Sequence, residues 1–295
     1  DVHIYAYSQP SGKRTDFFAQ LCEFNREVEK LYYNLKAPYR ILYYTDESAK
    51  EYADVREYLN TAINYINWCD PMSEEFLRSI NAANEYLMTE FYGKYCCDKD
   101  IKVSVIGHTH IDVAWRWTLD QTREKVQRTF GSVIEMMKKY PDYKFMSSQP
   151  QLLKFLKEES PEKYAEVKKL VKEKRIELEG SMWLEADCNL TSGESLVRQI
   201  IFGKRFFKNE FGVDNRIIWL PDVFGYSAAM PQIMKKSGID KFVTSKISWN
   251  ETNRMPYDAF MWKGIDGSEV FSYFMTAMEL NNKGELDGSI ASYIP

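Results

Sequence analysis

From about residue 101 onward, short apolar segments alternate with longer segments whose apolar residues recur every three or four positions. The short segments are typical of β-strands and the longer ones of amphipathic helices, because those repeats match the side-chain periods of the two elements. This alternation predicts an α/β fold with a parallel sheet, either a closed barrel or a doubly wound sheet. The predicted strands are residues 101–106, 143–146, 175–178, 216–220, 242–244 and 270–274.

Residues 15 to about 95 lack this alternation and are predicted to be helical. Val55 and Leu59 belong to one of several apolar stripes with helical spacing, and Ser73 precedes two glutamates in a pattern typical of a helix start. The polar run at 96–100 ends the pattern. We therefore expect a small helical accessory segment at 1–97 and an α/β domain at 98–295.

Composition limits the classes of partner. A formal net charge of -4 gives no basic surface for nucleic acid, and no apolar run approaches the roughly 20 residues of a membrane-spanning helix. No signal peptide is recognisable, and the five cysteines form no disulfide framework. These features favour a cytoplasmic protein. The chain begins without methionine and stops after a strand-like stretch, so we expect it to be part of a longer polypeptide, truncated at its C-terminal end.

The run Gly-His-Thr-His-Ile-Asp-Val-Ala-Trp at 107–115 contains two of the three histidines in the chain. In an extended backbone His108, His110 and Asp112 project on the same side. Two imidazoles and a carboxylate are natural ligands for a divalent transition metal, most often zinc. The alternative is a hydrogen-bonded core histidine beside a surface partner. Trp115, further along, would suit the face of a sugar ring.

Further acidic residues follow later strands. Glu185 and Asp187 come after the third predicted strand, and Asp222 follows the fourth. Carboxyl ends of parallel strands gather at one edge of an α/β sheet, so we expect these groups to meet there. Asp222 could bind the metal, attack a carbon atom or cap the next helix. Glu185 and Asp187 could shape the pocket, support the ligands or be solvated loop carboxylates.

Several segments resemble conserved blocks of one enzyme family. The run at 107–115 and the run Trp-Leu-Pro-Asp-Val-Phe-Gly-Tyr-Ser at 219–227 resemble the signature segments of the α-mannosidases of glycoside hydrolase family 38. The stretches at 193–199 and 248–253 resemble intervening blocks of the cytosolic and bacterial branch. The order and spacing of the blocks also agree with that family.

The resemblance implies a seven-stranded β/α barrel, truncated here, with one zinc ion at the strand ends; cobalt would suit the same ligands. By position, His110 and Asp112 match metal ligands, and Asp222 matches a residue that is both ligand and catalytic nucleophile. Trp115 matches the aromatic floor beneath the mannose ring, and His108 is expected to orient the ligands. The implied reaction removes terminal α-linked mannose from oligosaccharides and retains anomeric configuration through a covalent glycosyl–enzyme intermediate.

The same resemblance implies that part of the site lies beyond residue 295. A retaining glycosidase needs a second carboxyl group as acid and base, and the family has a further histidine ligand; neither can be assigned in this sequence. We therefore expect the chain to be inactive alone. The sequence does not determine whether the full-length protein forms a homo-oligomer. Two alternative functions remain: a metal-dependent sugar deacetylase or amidohydrolase, and a sugar-binding module without turnover.

Overall fold

The computed structural model describes residues 24–96, 106–246, 252 and 256–275. These residues divide into two compact units, one before and one after the gap at 97–105. Most of the predicted strand at 101–106 lies outside the described residues, as does part of the resemblance block at 248–253.

The first unit is helical. It consists of α1 (Arg26–Ile41), a short 3-10 turn (Leu42–Tyr44), α2 (Lys50–Asn64) and α3 (Glu74–Tyr86), which continues as a π-helix (Leu87–Tyr95). The predicted start of α3 is confirmed, because the Ser73 side chain accepts a hydrogen bond from the backbone N–H of Phe76. Val55 and Leu59 are buried in the core between these helices, as their spacing predicts.

The second unit alternates strands and helices. Its elements are β1 (Gly107–His108), α4 (Leu119–Lys139), β2 (Phe145–Ser147), α5 (Pro150–Glu159), α6 (Pro161–Lys172), β3 (Ile176–Leu178), α7 (Gly193–Phe211), β4 (Ile217–Leu220), α8 (Met230–Lys236), β5 (Lys241–Thr244), β6 (Ala259–Lys263) and β7 (Glu269–Phe274). A capping box between Thr118 and Gln121 begins α4. Ser192 caps α7 by accepting a hydrogen bond from the backbone N–H of Ser195.

The described strands form two sheets. One contains β1, β2 and β3 in that order, all parallel; the other has the order β4-β5-β7-β6. A parallel bridge between Gly180 and Ile218 joins the segment after β3 to β4, and a second parallel bridge joins Cys188 to Tyr226 in the loops that follow. The fold is therefore α/β with mixed helices and sheets. Neither sheet closes on itself, so the described residues do not show the closed seven-stranded barrel.

One strand departs from the predicted parallel arrangement. β6 was not predicted, and it pairs antiparallel with β7. Its apolar run at 259–262 could have been recognised in the sequence, but its residues are alternately exposed and half-buried, unlike those of a central parallel strand. The two strands are joined by a tight turn in which Gly267 has a φ of 86°, a conformation that favours glycine.

Two hydrophobic cores support the sheets. The first core lies beneath β1–β3 and includes Phe130, Leu153 and Ile176. The second lies beneath β4, β5 and β7 and includes Ile218 and Phe242. Helix α7 contributes to both cores, through Ile200 to the second and Phe207 to the first. Within the described part of the chain, no helix is both long and apolar enough to cross a membrane.

Candidate metal centre and active site

The carboxyl ends of the parallel strands bring together polar side chains from separate parts of the sequence. His108 is the last residue of β1, and Asp222 stands two residues past the end of β4. Glu185 lies in the long loop between β3 and α7. The loops that follow the strands at this edge carry these side chains, as is general in parallel α/β folds.

A histidine and two aspartates form a compact group at this edge. The Nε2 atom of His110 lies 3.0 Å from Oδ1 of Asp112 and 3.2 Å from Oδ2 of Asp222. One ligand atom from each of the three residues lies within 4.8 Å of the others. The three side chains are partly buried, with 24%, 33% and 28% of their surface exposed in that order. They therefore face one small region that solvent can reach.

The opposite side of the His110 ring faces a buried acid. Oε2 of Glu185 lies 2.8 Å from Nδ1 of His110, and the Glu185 side chain is only 3% exposed. The contact has an ion-pair distance, although its direction departs from that of a ring N–H hydrogen bond. Burial alone would lower the pKa of His110, but the carboxylates of Glu185 and Asp112 raise it to about 9. Burial raises the pKa of Glu185 above its ordinary value.

The donors in this group fit a divalent metal ion. One imidazole nitrogen and two carboxylate oxygens are the nitrogen and oxygen ligands that zinc and its neighbours accept. A carboxylate on the far nitrogen of a ligating histidine is also a common companion of such sites, because it fixes the ring and raises its basicity. His110 thus presents Nε2 to Asp112 and Asp222 while Glu185 contacts Nδ1.

His108 lies beside the group rather than in it. Its Nε2 is 3.2 Å from Oγ of Ser148, and its ring packs edge to face against Trp219 at 5.3 Å. Burial lowers the pKa of His108 to about 4, and the positive charge of His110 adds to this effect. The strand ends at His108, so the expected alternation along an extended backbone does not continue to His110 and Asp112.

The other two predicted site residues are exposed. Trp115 is 64% exposed, its ring contacts Trp117 edge to face at 5.6 Å, and the guanidinium of Arg116 stacks over it at 4.8 Å. The Asp187 carboxylate accepts hydrogen bonds from the backbone N–H groups of Asn189 and Leu190. Asp187 therefore stabilises its own loop and does not join the metal group.

Two residues near the group were not predicted from the sequence. Nζ of Lys246 lies 3.1 Å from Oδ1 of Asp222, with the lysine side chain only 10% exposed. Gln149 is buried, and its amide donates to the backbone oxygen of Ile111 and to the Glu185 carboxylate. Both follow a strand, β5 and β2 respectively, so the rule that selected Asp222 would also have found them.

Comparison with known proteins identifies the same family. Residues 100–291 match the family model described as "Glycosyl hydrolases family 38 N-terminal domain". Alpha-mannosidase G of Dictyostelium discoideum is 36% identical over 268 residues, which cover 91% of this chain and 24% of that protein. Alpha-mannosidase of Saccharomyces cerevisiae is 40% identical over 66% of this chain and 19% of its own length. Human alpha-mannosidase 2C1 is 34% identical over 91% of this chain and 25% of its own length.

Solved structures agree at the level of the fold. The crystal structure of an alpha-mannosidase from Enterococcus faecalis superposes with a TM-score of 0.51 and 22% identity, covering 58% of this chain and 19% of that one. The chain spans about a quarter or less of the length of the curated relatives described above. The family match covers more than half of the chain and includes every residue of the metal group. The chain belongs to glycoside hydrolase family 38.

Proposed function

We propose that the full-length protein is a zinc-dependent retaining α-mannosidase that removes terminal α-linked mannose from oligosaccharides. The observation that carries this proposal is the convergence of ligand atoms from His110, Asp112 and Asp222 within 4.8 Å. Family membership and the names of the relatives, several of which are alpha-mannosidases, supply the substrate class.

Each residue near the group has a proposed role in holding the metal or the sugar. His110, Asp112 and Asp222 bind the ion, and zinc suits this donor set best. Glu185 fixes the His110 ring from its far side. His108 is held neutral by burial, and it supports this edge through Ser148 and Trp219. When bound, zinc would supply an electrophilic anchor for two adjacent hydroxyl groups of the sugar.

Asp222 is the proposed nucleophile. Its carboxylate attacks the anomeric carbon as the bond to the leaving group breaks, and water later hydrolyses the covalent glycosyl–Asp222 ester. Two displacements at the same carbon retain its configuration. Trp115 offers an exposed aromatic face to the apolar side of the mannose ring. Asp187 shapes the rim of the pocket through its loop.

The remaining parts of the proposal concern the protein as a whole. We expect the α/β domain at 98–295 to be catalytic and to complete a seven-stranded β/α barrel in the full-length protein, with residues 1–97 as a helical accessory segment. The general acid/base and a further metal ligand would come from beyond residue 295. The cytoplasm is the proposed location, since the composition favours it and one group of relatives is named alpha-mannosidase 2C1.

The test measures activity and metal content of the full-length protein. Purified enzyme should contain about one zinc per chain and hydrolyse an aryl α-mannoside. Asp222→Ala should abolish turnover, whereas Asp214→Ala, which changes an exposed carboxylate, should leave it intact. Near-normal turnover in Asp222→Ala would contradict the proposed mechanism.

The same preparation separates the alternative functions. Release of acetate from an acetylated amino sugar, without mannoside hydrolysis, would indicate the deacetylase or amidohydrolase. Mannoside affinity that survives removal of the metal, with no turnover, would indicate a sugar-binding module.

A further inference from the structure

Lys246 lies two residues past the end of β5, just as Asp222 lies two residues past the end of the neighbouring strand β4. The two strands are parallel, and their last paired residues are Leu220 and Thr244. One residue further along, the Ser245 hydroxyl donates to the backbone oxygen of Pro221. If the same register is continued one residue further, Asp222 stands opposite Lys246. The parallel course of the two strands therefore brings the backbone of this lysine beside that of the aspartate.

The contact between the two side chains is close and sheltered. Nζ of Lys246 lies 3.1 Å from Oδ1 of Asp222, and the lysine side chain is 10% exposed. The Phe224 ring lies 5.8 Å from the same nitrogen. A partly buried ion pair such as this one, in which the Asp222 side chain is 28% exposed, is screened less than a surface pair. The Lys246 ammonium group therefore keeps a positive charge next to the Asp222 carboxylate.

The two oxygens of the Asp222 carboxylate face different partners. Oδ2 lies 3.2 Å from Nε2 of His110, on the side of the metal group, whereas Oδ1 faces Lys246. This division fixes the plane of the carboxylate. It also places a positive charge where the negative charge of free Asp222 resides.

We propose that Lys246 is a positioning residue that holds Asp222 and stabilises its carboxylate as the covalent sugar ester is hydrolysed. This inference rests on the proposed function. In the first step Asp222 donates an electron pair to the anomeric carbon, and the leaving group departs with the pair from its own bond. In the second step the water oxygen bonds to that carbon and a general base takes the water proton. The ester C–O bond breaks, and its electron pair returns to the carboxylate.

Lys246 affects these two steps in opposite ways. The ammonium group stabilises the ionised carboxylate, which is consumed in the first step and regenerated in the second. It therefore favours release of Asp222 from the sugar and does not speed attack. Because resonance spreads the charge over both oxygens, the effect is the same whichever oxygen carried the sugar. Removing the lysine should slow hydrolysis of the glycosyl–enzyme while leaving its formation much less affected.

The experiment uses the full-length enzyme and 2,4-dinitrophenyl α-mannoside, whose leaving group needs no proton. For Lys246→Met we expect kcat to fall about 100-fold, the loss typical of removing one stabilising donor from a developing charge. KM should fall with it, because the covalent intermediate accumulates, and kcat/KM should change by less than about tenfold. Mass spectrometry at steady state should then show most of the enzyme carrying one hexose on Asp222.

Three variants separate this role from a structural one. Lys246→Arg keeps the positive charge and should recover kcat to within about tenfold of wild type. Lys246→Gln removes the charge but keeps a hydrogen-bond donor, and it should show the same fall in kcat and KM as Lys246→Met. Lys241→Met alters an exposed lysine at the other end of β5 and should behave as wild type. Zinc content should remain near one per chain in all of them.

The proposal is overturned if the charge-removing variants keep wild-type kinetics, or if kcat and kcat/KM fall equally without a covalent adduct. Equal loss in the arginine and glutamine variants would likewise assign Lys246 a purely structural part. A wild-type enzyme that forms no adduct and turns over no α-mannoside would instead refute the proposed function.

Discussion

The contact between Glu185 and His110 predicts a measurable loss of metal affinity in Glu185→Gln. The substitution keeps the shape of the side chain and removes its charge, 2.8 Å from Nδ1 of the ring and in a side chain that is 3% exposed. For unit charges at that distance and an effective dielectric of about 20, Coulomb's law gives about 6 kcal/mol. Desolvation of the two groups offsets much of this attraction, so it is an upper limit.

Removal of such a partner typically weakens metal binding by about 10–100-fold, which corresponds to about 1.4–2.8 kcal/mol. We expect this loss for zinc in Glu185→Gln, measured by competition with a chromogenic chelator. Thermal unfolding of the metal-free protein would verify that the variant folds. The matched control is Asp187→Asn, which makes the same charge change in the same loop at a side chain that caps a turn. Unchanged zinc affinity in Glu185→Gln, or an equal loss in both variants, would refute the reasoning.

Three further predictions concern stability and substrate binding. Ser192→Ala removes the cap of α7 and should lower the free energy of unfolding by about 1 kcal/mol in urea titrations; an unchanged midpoint would contradict this. Hydrogen bonds from Lys157 and, to a smaller extent, Tyr164 lower the pKa of Glu210 below its ordinary value of 4.5. The wild-type protein should therefore be more stable than Glu210→Gln at pH 7. That advantage should shrink as the pH falls through and below 4.5, and a pH-independent difference would exclude the linkage. Trp115→Ala should raise KM for an aryl α-mannoside about tenfold, since stacking is lost, with the melting temperature unchanged because the ring is largely exposed.

The spacing of apolar residues predicted those helices and strands that bury an apolar face against a core. In α4 the residues Val126, Phe130 and Met137 have helical spacing, and all three are buried against the first core. The strands at 216–220 and 242–244 were predicted from their apolar runs and agree with β4 and β5 to within one residue at each end. These predictions agree with the structure because the periodicity of apolar residues is a local property, which can be read from the sequence of the element itself.

The half-exposed strand β6 shows where this reasoning fails. No residue of Ala259–Lys263 is fully buried, although Trp262 packs against the second core, and the strand pairs only with β7, across the turn at Gly267, among the described strands. The closed barrel was inferred from a resemblance, and closure depends on long-range pairing that no local pattern encodes. Two open sheets are what the described strands form.

Part of the metal group could be predicted from the sequence, because the carboxyl ends of parallel strands lie at the same edge of a sheet. That rule grouped six residues, His108, His110, Asp112, Glu185, Asp187 and Asp222. The resemblance to family 38 then implied which of them, His110, Asp112 and Asp222, would be the ligands. The rule did not identify the partner of each side chain. Glu185 lies seven residues beyond the end of β3, and its approach to the far side of the His110 ring depends on the path of the loop. Lys246 followed the rule and was overlooked, because a lysine is not a metal ligand.

The three proposed metal ligands come from opposite halves of the α/β unit. His110 and Asp112 flank Ile111, which is buried in the first core, whereas Asp222 precedes Val223 of the second. A cation bound to all three would therefore add a link between the two sheets, besides the two parallel bridges, at Gly180 and Cys188, that join the segment after β3 to β4 and to the loop after it. Because the ion would bind only when both halves are folded, its binding would raise the free energy of unfolding of the α/β unit. Removal of the ion by a chelator would take away this link and lower the stability of the α/β unit.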